Sequence, residues 1–495
     1  MFLSRVLATT LVVSLGIDMG LKAESFDNAD LSFRKLTHTD TIANLNTAKS
    51  VPASRIGSDK LALATSGTTY YVSPTGNDNN NGLTAGTAFR TLQKAANMVK
   101  NPGDTVYIMN GTYTQEVTDP GKSLLVIYQE QGTADAPITF KAYPGHKPVI
   151  KSTGSYAIIV SGSSYINIEG LKLVGSNDKV TLNYAQQQKN DLKDPLTNGA
   201  AIGIAPSFSN GTPSQYSHHI VIRNNNISKF GGTAITANLS DYITIENNVI
   251  LENTWYSPVG VSAISLLHSK SVDNNTTDYK MIVRENIIGN NINYIPRHDL
   301  GKVAEGHGII LDDLKSTKST SNPPYNGKVL ITNNVIYKSG GSGIVCYLSA
   351  NADIVNNTTY QNAQSPDLQN TLGEIDVIKG DNVRVFNNIM YAKKDAVVNN
   401  TFGSTLTMYD NNLVYNSSKY RTSGLSNIIG KEPKFVDAAN SNFYLHSNSP
   451  AIDVGMSTFN GVAAPKIDRF GTSRPLDGDG NGIAIIDIGA LERKP

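Results

Sequence analysis

The segment Ile243-Thr244-Ile245-Glu246-Asn247-Asn248 is one copy of a short pattern that decides the architecture of the chain. Apolar and polar residues alternate in it, as is typical of a β-strand, and it ends on asparagine. The pattern recurs, and its second asparagines are Asn225, Asn248, Asn286, Asn334, Asn357, Asn388 and Asn412. The steps between them are 23, 38, 48, 23, 31 and 24 residues. A minimum near 23 with longer exceptions predicts a β-solenoid, in which each turn repeats the same strands and extra residues form loops.

Asparagine has a physical role at such a bend. It tolerates the left-handed backbone region that a sharp turn needs, and its amide can bond the asparagines one turn above and below, at about 4.8 Å. A stack of asparagines therefore satisfies polar groups that burial would otherwise leave unpaired.

A second strand follows each copy of the pattern, and its positions also align between turns. Its inward positions predict a core row of Ala237, Leu266, Leu311, Cys346 and Val377. The residues that close it predict a corner row of His268, Asp313, Leu348 and Lys379. The outward positions on two of these strands are predicted to be Gly308, Ile310 and Asp312, then Glu374, Asp376 and Ile378. A thiol in the core row, at Cys346, is expected to be a small buried side chain and not a nucleophile.

The composition excludes several classes of protein. The 495 residues include 42 Lys and Arg and 41 Asp and Glu, a net charge of +1, so the chain has no overall charge suited to nucleic acid or an anionic membrane surface. A single cysteine excludes an intramolecular disulfide and a cysteine-based zinc site. We expect no nucleic-acid partner, and we expect a monomer.

The N-terminus has the features of an export signal. Arg5 precedes an apolar run at residues 6–17 that is too short to span a bilayer, and Ala23 offers a cleavage site. We predict a signal peptide at 1–23, a polar linker at 24–66, the solenoid at 67–430 and a C-terminal closing segment at 431–495. No later segment has 18 consecutive apolar residues, so we expect no membrane span and a secreted or periplasmic protein.

The start and the end of the solenoid resemble a known family. The segments that carry the resemblance are Thr69-Tyr70-Tyr71-Val72-Ser73-Pro74, Phe89-Arg90-Thr91-Leu92, Pro102-Gly103-Asp104-Thr105, Asn110-Gly111-Thr112-Tyr113 and Asp487-Ile488-Gly489-Ala490. They are similar to pectate-lyase-like, single-stranded right-handed parallel β-helices of secreted bacterial polysaccharide lyases. The resemblance implies an all-β right-handed parallel β-helix with a short N-terminal capping helix near residues 89–99. It also implies a polysaccharide substrate, an acidic calcium site and a Lys or Arg base.

Elimination from a uronate polymer is the first predicted activity. It needs a cation to neutralise the sugar carboxylate and a base to remove the C5 proton. Lys379 is the candidate base, and Arg297 and His268 are the other candidate catalytic residues. Arg297 and His298 could neutralise or bind the uronate, and Glu374 and Asp376 are further candidates to bind substrate. Asp312 and Asp313 are the candidate Ca²⁺ ligands, because hard cations take clustered carboxylates.

Two other activities remain open. Hydrolysis needs only two carboxyl groups, and Asp312 or Asp313 with Glu374 or Asp376 could supply them. A non-catalytic carbohydrate-binding or adhesion module would have the same solenoid. In either case Trp255 and Tyr256, in a long loop, could stack on a sugar, or could pack the loop onto the solenoid.

The tail contains an acidic motif, Asp477-Gly478-Asp479-Gly480-Asn481-Gly482. It matches the first half of a calcium-binding EF-hand loop, but position twelve is Ile488 instead of a bidentate acid. A tight turn is the preferred interpretation.

Overall fold

Three parallel sheets run along the solenoid, and each complete turn adds one strand to each sheet. The computed structural model describes residues 67–115, 122–318 and 323–494, so the predicted signal peptide and linker lie outside the described residues. The turn at His218–Arg223, Asn226–Ser228 and Ile235–Asn238 shows the order of first, second and third sheet before the chain returns to the first at Asp241–Glu246. The prediction of an all-β right-handed parallel β-helix is confirmed.

The strands pair in register from turn to turn. The first sheet contains Thr69–Val72, Thr105–Ile108, Ile138–Ala142, Ser164–Glu169, His218–Arg223, Asp241–Glu246, Tyr279–Arg284, Lys328–Thr332, Ala350–Val355, Asp381–Phe386 and Thr405–Asp410. The second contains Thr112–Gln115, Val149–Ser152, Lys172–Val174, Asn226–Ser228, Val249–Leu251, Ile287–Gly289, Val335–Tyr337, Thr358–Tyr360, Ile389–Tyr391, Leu413–Tyr415 and Ile428–Ile429. The third contains Ser123–Tyr128, Tyr156–Ser161, Ala200–Ala205, Ile235–Asn238, Ile264–Leu267, Ile309–Asp312, Ile344–Tyr347 and Ile375–Ile378.

The helices are short and lie outside the sheets. The α-helices are Leu92–Met98, Leu182–Gln187 and Pro195–Asn198, and the 3₁₀ helices are Ala85–Thr87, Asn177–Lys179 and Ala438–Asn440. Leu92–Met98 is the predicted capping helix: the Thr91 side chain accepts a hydrogen bond from the Lys94 amide, and Leu92 and Ala95 are buried in the same core as Val106. None of the helices in the described part of the chain is long and apolar enough to cross a membrane.

The asparagine stack is continuous and buried. Oδ1 of Asn248 accepts from the backbone N–H of Asn225 at 3.0 Å and from its Nδ2 at 3.1 Å, and Asn286 does the same for Asn248. The left-handed conformation belongs to the preceding residue, for example Asn224 at φ 60° and Asn247 at φ 54°. The expectation that one asparagine does both is therefore wrong, because the side chain that stacks inward needs a backbone different from the one that makes the bend.

The core row is confirmed by the strand register. Ala237, Leu266, Leu311, Cys346 and Val377 pair in sequence, and each is fully buried. Burial raises the pKa of the Cys346 thiol to about 12, which keeps it protonated.

The chain beyond the solenoid folds back along the second sheet. Small antiparallel hairpins form at Phe435–Asp437 with Asn442–Leu445 and at Thr458–Phe459 with Val462–Ala463, like the earlier one at Ser207–Ser209 with Thr212–Gln215. Phe443 packs on the Tyr337 ring, with centroids 5.5 Å apart, and on Tyr360 at 5.3 Å. This segment therefore packs on the outer face of the second sheet and not on that of the third.

Candidate active site on the third sheet

The corner at the end of the third sheet follows the predicted row. His268, Asp313, Leu348 and Lys379 all have left-handed backbone, with φ between 46° and 51°. Each donates its amide to a carbonyl one turn on, as His268 does to Asp312 at 3.0 Å. Successive corner residues are therefore about 4.8 Å apart along the axis.

Loops partly cover the outer face of this sheet. Ile310, Val345 and Ile378 point away from the core row, and they are buried under Val303 and Leu372 from the two loops before the strands. These loops span residues 293–306 and 363–372, and Asp367 joins them by accepting the Val303 amide at 2.7 Å. The cover limits solvent access to the polar groups at its edge.

Three charged residues lie together at that edge, and we call Arg297, Glu305 and Asp312 the carboxyl cluster. Arg297 is 1% exposed and binds Asp299 through Nε and Nη2 at 2.7 and 2.6 Å. Its Nη1 lies 3.8 Å from Oε1 of Glu305, whose Oε2 accepts from Ser262 at 3.4 Å. Loop residues thus bring Arg297 and Glu305 to Asp312, the last residue of the strand Ile309–Asp312.

Burial favours the protonated form of both carboxyls. It raises the pKa of Glu305 to about 7, and the charge of Asp312 adds to that shift, whereas Arg297 opposes it. Burial likewise raises the pKa of Asp312, against the opposing charges of Lys318 and His268. Oδ1 of Asp312 is buried without a hydrogen-bond partner among the described residues. At neutral pH the cluster can hold a proton on one carboxyl beside a second one, which is the requirement for general acid and base chemistry.

Asp313 holds the loop that follows it. Its carboxylate accepts from the Thr317 amide at 2.8 Å, the Thr317 hydroxyl at 2.6 Å and the Lys318 amide at 3.1 Å, with His268 Nδ1 at 3.6 Å. These donors occupy the oxygens that a metal would need, and Asp312 faces the charges of Lys318 and Arg297. The pair predicted to bind Ca²⁺ therefore does not fit that ion.

The other predicted site residues are distributed more widely. Trp255 donates from Nε1 to the Asn290 carbonyl at 3.1 Å and packs edge-on against Tyr256 and Tyr294. This aromatic group joins the loop to the helix Leu182–Gln187 through Ala185. His298 is exposed, and its Nδ1 lies 3.1 Å from the Pro258 carbonyl. Their predicted contacts with a sugar stay predictions.

Glu374 and Asp376 occupy the predicted outward positions of their strand, yet both are fully buried. Glu374 accepts from the backbone and side chain of Asn362 at 2.9 and 2.6 Å. Asp376 accepts from Ser342 at 2.6 Å and from the Gly373 and Asn400 amides at 2.9 and 2.6 Å. Sequence alternation predicted their direction but not the loops that cover them, and their role toward substrate stays a prediction.

Lys379 is half-buried at its corner, two turns from Asp313. Its carbonyl accepts from Nζ of Lys315 at 3.3 Å, so one lysine side chain spans the distance between the two corners. The sequence pattern did not indicate Glu305 and Lys318 as site residues. In the sequence Glu305 is one acidic residue within a long insertion. Its distance along the chain from Asp312 does not indicate that the loop places the two side chains together.

The acidic tail motif forms a tight turn. The Asp477 carboxylate accepts from the Gly480, Asn481 and Gly482 amides at 2.8, 3.0 and 2.8 Å. Asp453 and Asp479 lie beside it, with one oxygen of each acid within 4.8 Å of the others. Asp453 itself accepts from the Gly478 and Asp479 amides, so the turn is held by its own chain.

Comparison with known proteins supports the fold. Residues 70–231 match the family described as Pel9A-like, right handed beta helix region. The uncharacterized protein YwoF of Bacillus subtilis (strain 168) is 33% identical over 174 residues, which are 35% of this chain and 31% of that protein. A lacto-N-biosidase of Bifidobacterium longum subsp. longum is 36% identical over 116 residues, 22% of this chain and 7% of that protein.

The chain thus spans less than a third of either curated relative. The crystal structure of pectate lyase Pel9A superposes with a TM-score of 0.47 at 16% identity and covers 86% of this chain and 96% of that one. The region that matches the family model, residues 70–231, ends before the first residue of the carboxyl cluster. The protein is an all-β right-handed parallel β-helix, and its residues 70–231 match the Pel9A-like right-handed β-helix region.

Proposed function

We propose that the protein is a secreted or periplasmic carbohydrate-active enzyme that cleaves an acidic polysaccharide at the carboxyl cluster. The observation that carries the proposal is the buried Glu305–Asp312 pair beside Arg297, with a pKa of about 7 at Glu305. A carboxyl of that pKa is protonated in about half of the molecules at neutral pH, so it can give a proton to a glycosidic oxygen. The lacto-N-biosidase among its relatives supports a carbohydrate substrate.

The charge of the surrounding surface supports an acidic substrate. Lys315 and Lys318 lie in the loop after Asp313, Lys379 lies two turns on in the corner row, and each of the three is half-buried. Cations grouped at one edge attract a polymer of uronates and neutralise its carboxylates. Lys318 lies close enough to affect both carboxyls of the cluster.

β-Elimination is the proposed mode of cleavage. A base removes the proton from C5 of a uronate, the electron pair forms the C4–C5 double bond, and the C4–O4 bond breaks. We propose Lys379 as the base and Glu305 as the acid that protonates O4. Lys379 lies two turns from Asp313, about 10 Å along the axis, and the Lys315 side chain bridges that span from the Asp313 side to the Lys379 carbonyl.

Hydrolysis is the second candidate, and the adjacency of two carboxyls favours it. Glu305 would protonate the leaving oxygen, and Asp312 would activate a water molecule. Lys379 would then have no part in proton transfer.

The test is incubation with polygalacturonate and with alginate while absorbance near 235 nm and reducing ends are both measured. Elimination raises both signals, because only it makes an unsaturated uronide. Hydrolysis raises reducing ends alone. Neither signal on either polymer or on a panel of neutral glycans would overturn the proposal and leave a binding module.

A further inference from the structure

The solenoid continues for two turns beyond the last strand of the third sheet, and that end carries a polar cavity. Residues 398–402 add the next turn, since Glu374 and Lys379 donate their amides to Val398 and Phe402. Residues 419–421 add another, since Val398 donates to Lys419. The cavity is about 360 Å³ and is lined by Asn370, Thr371, Val397, Asn399, Asn400, Lys419, Tyr420 and Arg421. Its volume is within the range of small-ligand pockets.

Hydrogen bonds hold the asparagines that line this cavity, whereas the side chains of its two cations are exposed and can bind a ligand. Asn399, which is 2% exposed, accepts from the Arg421 amide at 2.7 Å and donates to the Arg421 carbonyl at 2.5 Å. Asn400 donates to the Thr371 carbonyl at 3.0 Å and to Asp376 at 2.6 Å. The side chains of Lys419 and Arg421 are exposed, and among the described residues neither is within ion-pair distance of a carboxylate.

An exposed aromatic ring, Phe402, lies on the turn whose Asn399 and Asn400 line the cavity. Phe402 continues the outward row that begins with Asp312, because its carbonyl accepts from Lys379 as that of Asp312 accepts from His268. The Phe402 side chain is 66% exposed, whereas Tyr347 and Ile378 in the same row are buried. An aromatic face and cations on neighbouring turns of one surface are the combination that binds a sugar ring bearing a carboxylate.

We propose that Phe402, Lys419 and Arg421 form a distal binding site for carboxylated sugar units of the substrate chain. The inference rests on the proposed function, because it takes the cluster as the other end of the same bound polymer. From the turn of Asp312 to that of Lys419 there are four steps, about 19 Å along the solenoid axis. Lys419 pairs with Val397, so Arg421 lies opposite Asn399, three residues before Phe402, and the two sites are also displaced along the strand direction. A chain that joins them needs at least about four sugar units. A chain that spans both sites binds more tightly than one that reaches a single site, because its second contact is intramolecular.

The test is calorimetric titration with galacturonate oligomers of two to eight units in a Glu305→Gln background, so that turnover does not consume them. We expect affinity to rise steeply once the oligomer exceeds about four units. The double variant Lys419→Ala/Arg421→Ala should weaken binding of the long oligomers about tenfold and leave the shortest unchanged, and Phe402→Ala should weaken it about threefold. Lys151→Ala/Lys172→Ala removes two exposed lysines from the second sheet and is the matched control.

The outcomes separate this site from the cleavage reaction. Unchanged binding of long oligomers by the double variant overturns the distal site, even if the native protein cleaves polygalacturonate. Equal losses in the control variant, or no binding of any oligomer, overturn it as well. Selective loss in the double variant establishes the site, even if neither product signal appears and the proposed reaction fails.

Discussion

Nη1 of Arg297 lies 3.8 Å from Oε1 of Glu305, yet the pKa of Glu305 is raised to about 7. A neighbouring cation ordinarily lowers the pKa of a carboxyl. Here the Arg297 guanidinium is engaged by two hydrogen bonds to Asp299, while burial and the charge of Asp312 act on Glu305 in the other direction. The result is a carboxyl that keeps a proton where a surface glutamate would not.

Glu305→Gln should reduce the rate of polysaccharide cleavage about 100-fold or more, because general acid catalysis contributes about 10²–10⁴. In the unsubstituted protein the rate should fall as pH rises above about 7, since the protonated fraction of Glu305 is lost there. Initial rates between pH 5 and 9 measure both effects. Glu432→Gln, an exposed substitution in the tail, should change neither. A full rate for Glu305→Gln would remove this residue from the mechanism.

Lys379→Ala distinguishes the two modes of cleavage. If it is the base of an elimination, the variant should lose the 235 nm signal about 100-fold while its circular dichroism and Tm stay unchanged, because the side chain is half-buried and outside the core. Lys338→Ala, on the opposite side of the turn, is a control of equal charge. Reducing ends released at the native rate by Lys379→Ala would assign the reaction to the Glu305–Asp312 pair alone.

Asn357→Ala should lower the free energy of unfolding by about 3 kcal/mol. Oδ1 of Asn357 accepts from the backbone and Nδ2 of Asn334, both at 3.0 Å, so alanine leaves a fully buried N–H without a partner. The midpoint of urea denaturation measures the loss. Asn274→Ala, at an exposed loop position, should stay within about 0.5 kcal/mol of the native value. Equal midpoints for the two variants would show that the stack does not stabilise the solenoid.

Stability should decrease between pH 4.5 and about 8 because of Glu374. Burial raises the pKa of this side chain to about 8, against the Asn362 hydrogen bonds that favour its ionised form. In this interval Glu374 is ionised in the unfolded chain but keeps its proton in the folded chain. Its stabilising contribution to folding is therefore complete below pH 4.5 and is lost as pH rises through the folded pKa. The slope from this group is at most about 1.4 kcal/mol per pH unit.

Glu374→Gln isolates that contribution, because the amide is neutral at every pH. Thermal melting at pH 5, 6.5 and 8 should show a smaller decrease of Tm for the variant than for the native protein. Glu432→Gln should retain the native slope. Parallel curves for Glu374→Gln and the native protein would contradict the assignment to Glu374.

Local sequence determined the solenoid. Alternation and the 23-residue spacing follow from strand geometry, so they predicted the core row at Leu311 and Cys346 and the corner row at Asp313 and Lys379 without any long-range information. The asparagine stack was predicted for the same reason, since identical positions of successive turns must meet.

Only the tertiary structure decided which polar groups are buried together. Glu305 reaches Asp312, and loops cover Glu374 and Asp376, because insertions of different lengths fold over the third sheet along paths that no strand period specifies. The pKa of Glu305 depends on that cover. Periodicity therefore fixes the direction of a side chain within its turn, whereas its solvation, and with it its chemistry, is set by what the loops place against it.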